Sequence, residues 1–237
     1  MTETAFAADQ SNSQVSSTLW GLYAVTSPAQ RSLAALRPFI CPFGPILSSV
    51  PTGASVLDVG CGNGLVLALM SRFRGIARGV GVELSARALD AARKISSHAS
   101  LPLSFVEAST LDKWPVESFD VVSMIDVLHH VPIAFREEFV SAALSRVAEN
   151  GRFIYKDMAS APWWRVLWNA THDIVMARQL VRVEPVANVI RWASKAGFRA
   201  LPTQAYVACG VYGHELTVFE RETSESGQRD ARAARAD

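Results

Sequence analysis

The stretch Val56–Gly64 reads VLDVGCGNG. Apolar residues lead to a carboxylate, Asp58, and then into a turn with glycine at Gly60, Gly62 and Gly64. Helical spacing follows from Leu65 to Arg74, so the stretch predicts a buried strand that turns directly into a helix. Glycines at such a turn remove the side chains that would hold a ligand away from the backbone, and they permit positive φ. Amides at the start of the following helix suit a carboxylate or a phosphate.

The same alternation continues outward. Strands are predicted at 79–84 (GVGVEL), at 103–108 (LSFVEA), within 119–128 (FDVVSMIDVL) and at 152–158 (RFIYKDM). Helices are predicted after the N-cap Ser85, around 134–148 and over 185–197. Apolar strands alternating with helices predict a parallel sheet covered on both faces. The end departs from this pattern: ALPTQAYVAC (200–209) and ELTVFER (215–221), joined by GVYGH, read as a hairpin. The expectation is an α/β fold, a doubly wound and mostly parallel seven-stranded sheet whose last strand is antiparallel. Residues 1–15 and 223–237 are polar or charged and are expected to be disordered tails. One domain then spans 16–222, with a helical cover at 16–50 and an inserted helical lid at 159–184.

Of 237 residues, 49% are hydrophobic and 19% charged, enough apolar material for a well-filled core. The net charge of +1 shows no basic excess of the kind that a nucleic-acid partner demands. The cysteines Cys41, Cys61 and Cys209 are far apart and form no CxxC pair, which argues against a metal site or a disulfide framework and for a reducing compartment. The N-terminus lacks the basic start and apolar run of a signal peptide, and no segment approaches the roughly 18 apolar residues of a membrane span. A soluble, cytoplasmic protein acting on a small molecule is expected.

Glu83 lies nineteen residues after Gly64, in the second strand, where a carboxylate can accept both hydroxyls of a ribose. Leu65 stands where a dinucleotide fingerprint keeps a sixth-position Gly or Ala. Asp58 would repel a pyrophosphate and attract an amine or a sulfonium. An amino-acid-bearing nucleoside therefore fits better than a dinucleotide.

In order, VLDVGCGNG, GVGVEL, FVEAS, FDVVSMIDVLHHVP and NGRFIYKDM resemble the successive motifs of class I S-adenosylmethionine-dependent methyltransferases, in the small-molecule group that includes quinone-ring methyltransferases. The resemblance covers about Ser55 to Met158 and implies a Rossmann-like fold with S-adenosylmethionine as cofactor. It implies that Asp58, Gly60, Cys61 and Gly62 line the methionine part and the adenosine. It further implies that Glu83, with Leu84 beside it, holds the ribose, that Glu107 and Ala108 face the adenine, and that Asp126 lies near the methyl group. Glu107 stands where the family more often has Asp.

Candidates for a base are His129, His130, Asp157 and His214; each has an alternative use in ordering a loop or pairing with a neighbour. Lys156 stands beside Asp157 with the same two options. Trp164 and Trp168, four apart on one helix face, and Trp20 and Tyr23 ahead of the domain are candidates for an aromatic substrate lid; the alternative is that the tryptophans pin the inserted helix to the body. Cys61 reads as a small filler of the turn. The expected reaction is methyl transfer to a small hydrophobic or aromatic metabolite, O-methylation ahead of C-methylation. The competing readings are a nicotinamide-dependent oxidoreductase, a macromolecular methyltransferase and a non-catalytic cofactor-binding protein of the same fold.

Overall fold

The computed structural model describes residues 11–41, 43–159, 182–208 and 212–222. Three helices precede the sheet: α1 (Asn12–Leu22), α2 (Pro28–Ile40) and α3 (Phe43–Ser48). Ser11 and Ser27 each form a capping box with the glutamine three residues on, and Pro28 occupies the first turn of α2. α1 thus begins inside the segment expected to be a disordered tail, because Ser11 and Gln14 satisfy its first amides and Val15 is buried.

The alternating part follows as β1 (Ser55–Val59), α4 (Leu65–Arg74), β2 (Arg78–Glu83), α5 (Ala86–His98), β3 (Leu103–Glu107), β4 (Phe119–Ile125), α6 (Arg136–Leu144), β5 (Val147–Met158) and α7 (Val186–Lys195). The chain ends in β6 (Phe198–Ala200), β7 (Gln204–Ala208) and β8 (Tyr212–Arg221). The sheet order is β3-β2-β1-β4-β5-β8-β6, with β7 also on β8. β1 to β5 pair in parallel, and β8 is antiparallel to β5, β6 and β7. β6 and β7 lie in tandem on one edge of β8, so they fill a single position and the sheet has seven. The strand expected at 200–209 is broken there by Pro202, which has no N–H to give to the ladder. Cys209 and the 223–237 tail lie outside the described residues.

β4 ends at Ile125, within the 119–128 stretch expected to hold a strand, and Asp126 then takes φ +56° and turns the chain away. One further expectation is corrected: the helix expected around 134–148 covers only Arg136–Leu144, and β5 starts at Val147 instead of Arg152. The strand runs through Asn150 and Gly151 as an irregularity, Phe119 pairing with Val147 and Val121 with Arg152.

Strand alternation divides the core in two. Val56 and Val121 pack with α1–α4 on one face, while Leu57, Val59 and Val122 pack with α6 and α7 on the other. The parallel strands β1, β2, β4 and β5 all deliver their carboxyl ends to one edge, and that edge is where ligands of such sheets bind.

Candidate active site

Gly60, Gly62 and Gly64 have φ of 70°, 54° and 75°, as the turn demands. Gly60 is also closely packed, since a Cβ there would lie 2.5 Å from a methyl of Val127. Around Gly62, in contrast, there is open space on the side where a Cβ would stand, which is the cradle a ligand backbone contact needs. The loop amides are more occupied than the sequence implies. Gly60 and Cys61 both donate to the Val82 carbonyl (2.8 and 3.0 Å), Gly64 donates to that of Cys61 (2.9 Å), and Gly62 donates to Glu83 Oε2 (3.1 Å). Anion capture by these amides is therefore not the loop's main contribution.

Asp58 is buried and pairs in register with Gly81 on one side and Ser123 on the other. The Ser123 hydroxyl donates to Asp58 Oδ1 at 2.6 Å. Burial pushes the Asp58 carboxyl up to about 7, the Ser123 bond opposing this and the Glu83 charge adding to it. Glu83 is aimed by its neighbours: Leu84 and Ser85 donate their amides to Oε1 (2.8 and 2.9 Å) while Gly62 holds Oε2. A carboxylate has about four lone-pair sites, and these amides take three, so one site on Oε2 is left for a sugar hydroxyl. The Cys61 thiol, pushed up by burial and then by Asp58 and Glu83, is a filler packed against Gly81.

These groups open onto a cavity of about 940 Å³, roomy enough for a nucleoside and a second small molecule. Its wall takes in Asp58, Gly60, Cys61, Gly62, Glu83, Leu84, Ala108 and Asp126. Glu107 is exposed at the end of β3 and does not reach the wall, where Ala108 and Ser109 stand instead. Of Trp20 and Tyr23, neither lines the cavity, whereas Phe43 of α3 does. Trp20 is 47% exposed with the Arg31 guanidinium 4.1 Å over its ring, and Tyr23 is buried, donating its hydroxyl to Asn63 Oδ1 (3.0 Å) behind the glycine loop. The wall is built by α2 instead, through Leu33, Ala34, Arg37 and Ile40. Trp164 and Trp168 lie outside the described residues, as does most of the stretch 159–184.

At the ends of β4 and β5 the charged residues fall into two groups. Fully buried Lys156 donates to both oxygens of Asp126 (2.7 and 2.8 Å). Burial alone would raise the Asp126 carboxyl, but the Lys156 and Arg37 cations hold it well below the usual carboxylate range. Arg37 stands 3.9 Å from Asp126 in the cavity wall, half exposed. His214, the strand partner of Met158, lies in the same wall, with Nε2 bonded to the Ile40 carbonyl at 2.7 Å. Burial and then the Lys156 charge push its imidazole down to about 4, so it is neutral and a poor proton acceptor near neutral pH.

The second group is His129 with Asp157. His129 Nδ1 lies 2.5 Å from Asp157 Oδ1, both side chains almost fully buried. Asp157 is fixed in turn by the Met158 amide (2.8 Å) and, more loosely, the Tyr155 hydroxyl (3.4 Å). A carboxylate on Nδ1 sets the tautomer and makes Nε2 the ring atom able to take a proton. His129 lines the cavity; His130, exposed, stacks beside it with ring centroids 4.1 Å apart and also reaches the wall. The four candidate bases are thus brought to one cavity or its border, and His129 is there paired with the Asp157 carboxylate.

Sequence reasoning missed Arg37 and Ser123. Ser123 is legible in retrospect as a polar residue inside an apolar strand. Arg37 carries no motif, because the fold alone brings it to the cavity.

A family model described as a methyltransferase domain matches residues 29–203. The mitochondrial ubiquinone biosynthesis O-methyltransferase of Schizosaccharomyces pombe is 29% identical over 141 residues, which are 57% of this chain and 47% of that one. The chain thus spans about half the length of that relative. The ubiquinone biosynthesis O-methyltransferase of Coxiella burnetii is 27% identical over 178 residues, 69% of either chain. Among solved structures, magnesium protoporphyrin IX methyltransferase from Synechocystis, with bound S-adenosylhomocysteine, superposes with a TM-score of 0.62 at 16% identity, covering 89% of this chain and 96% of that one.

Proposed function

The chain belongs to the class I S-adenosylmethionine-dependent methyltransferases, and on that premise we propose that it transfers a methyl group from S-adenosylmethionine to a hydroxyl of a small hydrophobic or aromatic metabolite. The observation that carries the choice of a hydroxyl is the His129–Asp157 pair, whose His129 lines the cavity. An acceptor that must lose a proton needs a base there, and the relatives are named as O-methyltransferases. C-methylation of an activated ring is the second reading, which the same base would serve.

The cofactor supplies a methyl carbon on a sulfonium, a centre with a good leaving group, so the chain's task is mainly to position and to exclude water. Glu83 would hold a ribose hydroxyl through its remaining Oε2 lone pair, with Ala108 and Ser109 bordering the base. Ionised Asp58 would face the ammonium of the methionine part. Arg37, with Asp126 already neutralised by Lys156, is the cation suited to its carboxylate. His129 Nε2 would take the acceptor's proton, and Asp157 would stabilise the imidazolium that results. The apolar side chains of α2 suit an apolar or aromatic ring.

We assign the chain to a reducing, cytoplasmic setting, with a small molecule and not a nucleic acid as partner. Support comes from the free buried thiols of Cys41 and Cys61 and from the near-neutral charge. No described helix is long and apolar enough to cross a membrane.

Two measurements test the reading. S-adenosylhomocysteine should raise the melting temperature and NAD should not. With labelled cofactor and a panel of phenols and catechols against their methyl ethers, label should enter the free hydroxyls only. His129→Gln should slow that transfer by roughly 10²–10⁴-fold; undiminished turnover in this variant would remove the base from the mechanism.

A further inference from the structure

Arg136 opens α6 and is 2% exposed. Its guanidinium joins two stretches of chain that are remote in sequence. Nε donates to the Val131 carbonyl (2.8 Å) and Nη2 to that of His129 (3.3 Å), both in the loop after β4. Nη1 donates to Glu184 Oε2 (2.8 Å) and Nη2 to the Arg182 carbonyl (2.7 Å), both just before α7. Glu184 is itself buried and held from α7 by Asn188 Nδ2 at 2.5 Å.

The donors of a guanidinium lie in one rigid plane, so the acceptors they engage are fixed relative to one another. Here that plane fixes the main-chain oxygens of His129 and Val131 against Glu184 and the Arg182 carbonyl, just ahead of α7. His129 is thereby held twice, its ring by Asp157 and its backbone by Arg136. A ring contact at 2.5 Å tolerates little displacement, since charge-assisted bonds weaken quickly with distance and angle. We propose that Arg136 is a positioning residue for His129, its fork holding the loop after β4 at the place where the imidazole meets Asp157. The inference rests on His129 being the base.

The test compares Arg136→Lys, which keeps the cation opposite Glu184 but offers donors from a single atom, with Glu184→Gln, which keeps Arg136 and all its carbonyl contacts. The first readout is independent of substrate: the downfield proton signal of the His129 Nδ1–H, assigned by its loss in Asp157→Asn and recorded with S-adenosylhomocysteine bound. In Arg136→Lys this signal moves upfield or broadens away, while affinity for S-adenosylhomocysteine stays as in the native protein. Turnover on the best phenol of the panel falls on the order of 10–100-fold with KM for the cofactor unchanged. In Glu184→Gln the signal stays in place. An unchanged signal in folded Arg136→Lys, or equal loss in both variants, overturns the proposal. Should Arg136→Lys not fold, the native protein decides: the Arg136 Nε–H and the His129 Nδ1–H must exchange with solvent in step across a urea series, and independent exchange overturns it. If His129→Gln turns over normally, the base reading fails while the effect of Arg136 on the ring stands. If His129→Gln is inactive and Arg136→Lys changes neither signal nor rate, the positioning role alone fails.

Discussion

Lys156 and Asp157 are adjacent on β5, yet strand alternation sends them to opposite faces of the sheet. Lys156 points toward the layer of α1–α4, where its strand partner Leu216 packs, and it locks Asp126 in a pair whose two charges are permanent at neutral pH. Asp157 points toward α6 and α7, beside Tyr155, and holds a histidine. One pair supports the wall of the cavity. The other can change its protonation during a reaction. A charged residue at the carboxyl end of a buried strand thus takes its role from the side chain it meets, and neighbours in sequence can serve different ends.

The contrast can be broken most severely at Lys156. Among the described residues, Lys156→Met leaves the Asp126 carboxylate with Arg37 at 3.9 Å as its remaining ion-pair partner. The expected cost is about 3 kcal/mol, the lower end for a broken buried pair because Asp126 keeps some solvent, read from the urea midpoint. Asp157→Asn should do the reverse. The fold and the affinity for S-adenosylhomocysteine persist, while turnover drops about 10²-fold because the imidazole loses its orienting carboxylate.

Asp58 sharpens the comparison as a buried carboxylate with no cation against it among the described residues. Its pKa of about 7 lies above the 3.8 of a free side chain, so the native state holds a proton that the unfolded chain releases between those values. Its contribution to stability is present at low pH and is lost as pH rises through about 7. Binding of the ammonium-bearing cofactor needs the ionised form, so affinity for S-adenosylhomocysteine should weaken toward about tenfold per pH unit below 7, with proton release in calorimetry. In Asp58→Asn both dependences vanish. The smallest effect is expected outside both pairs: Trp20→Ala should cost about 0.5–1 kcal/mol through the lost Arg31 contact and leave cofactor affinity unchanged.

The cofactor side of the site was legible because its parts are contiguous. A strand that ends in VLDVGCGNG has few ways to fold, and Glu83 follows one strand later in the same pattern. The rest of the cavity is walled by α2 and by the ends of β4 and β5, which share no local pattern. The expectation that the segment ahead of β1 covers the cavity placed the right region there, but through the wrong residues. Trp20 and Tyr23 stand out by size, whereas the wall is made by Leu33, Ala34 and Arg37 of the next helix. Asp126 was expected at the end of the fourth strand and stands there, but nothing in its neighbours announces its positive φ. Glu107 matched a motif position but sits one residue short of the wall, where Ala108 and Ser109 border the cavity.

The break at Pro202 reaches beyond the active site. An unbroken margin of main-chain donors and acceptors invites another molecule to add a strand, and sheet proteins aggregate through such margins. Here the margin is cut into a piece of three residues and a piece of five, separated by a position that cannot donate. Neither fragment is long enough to template a stable intermolecular ladder, so the same proline that spoils the strand pattern shields this edge of the sheet from polymerisation.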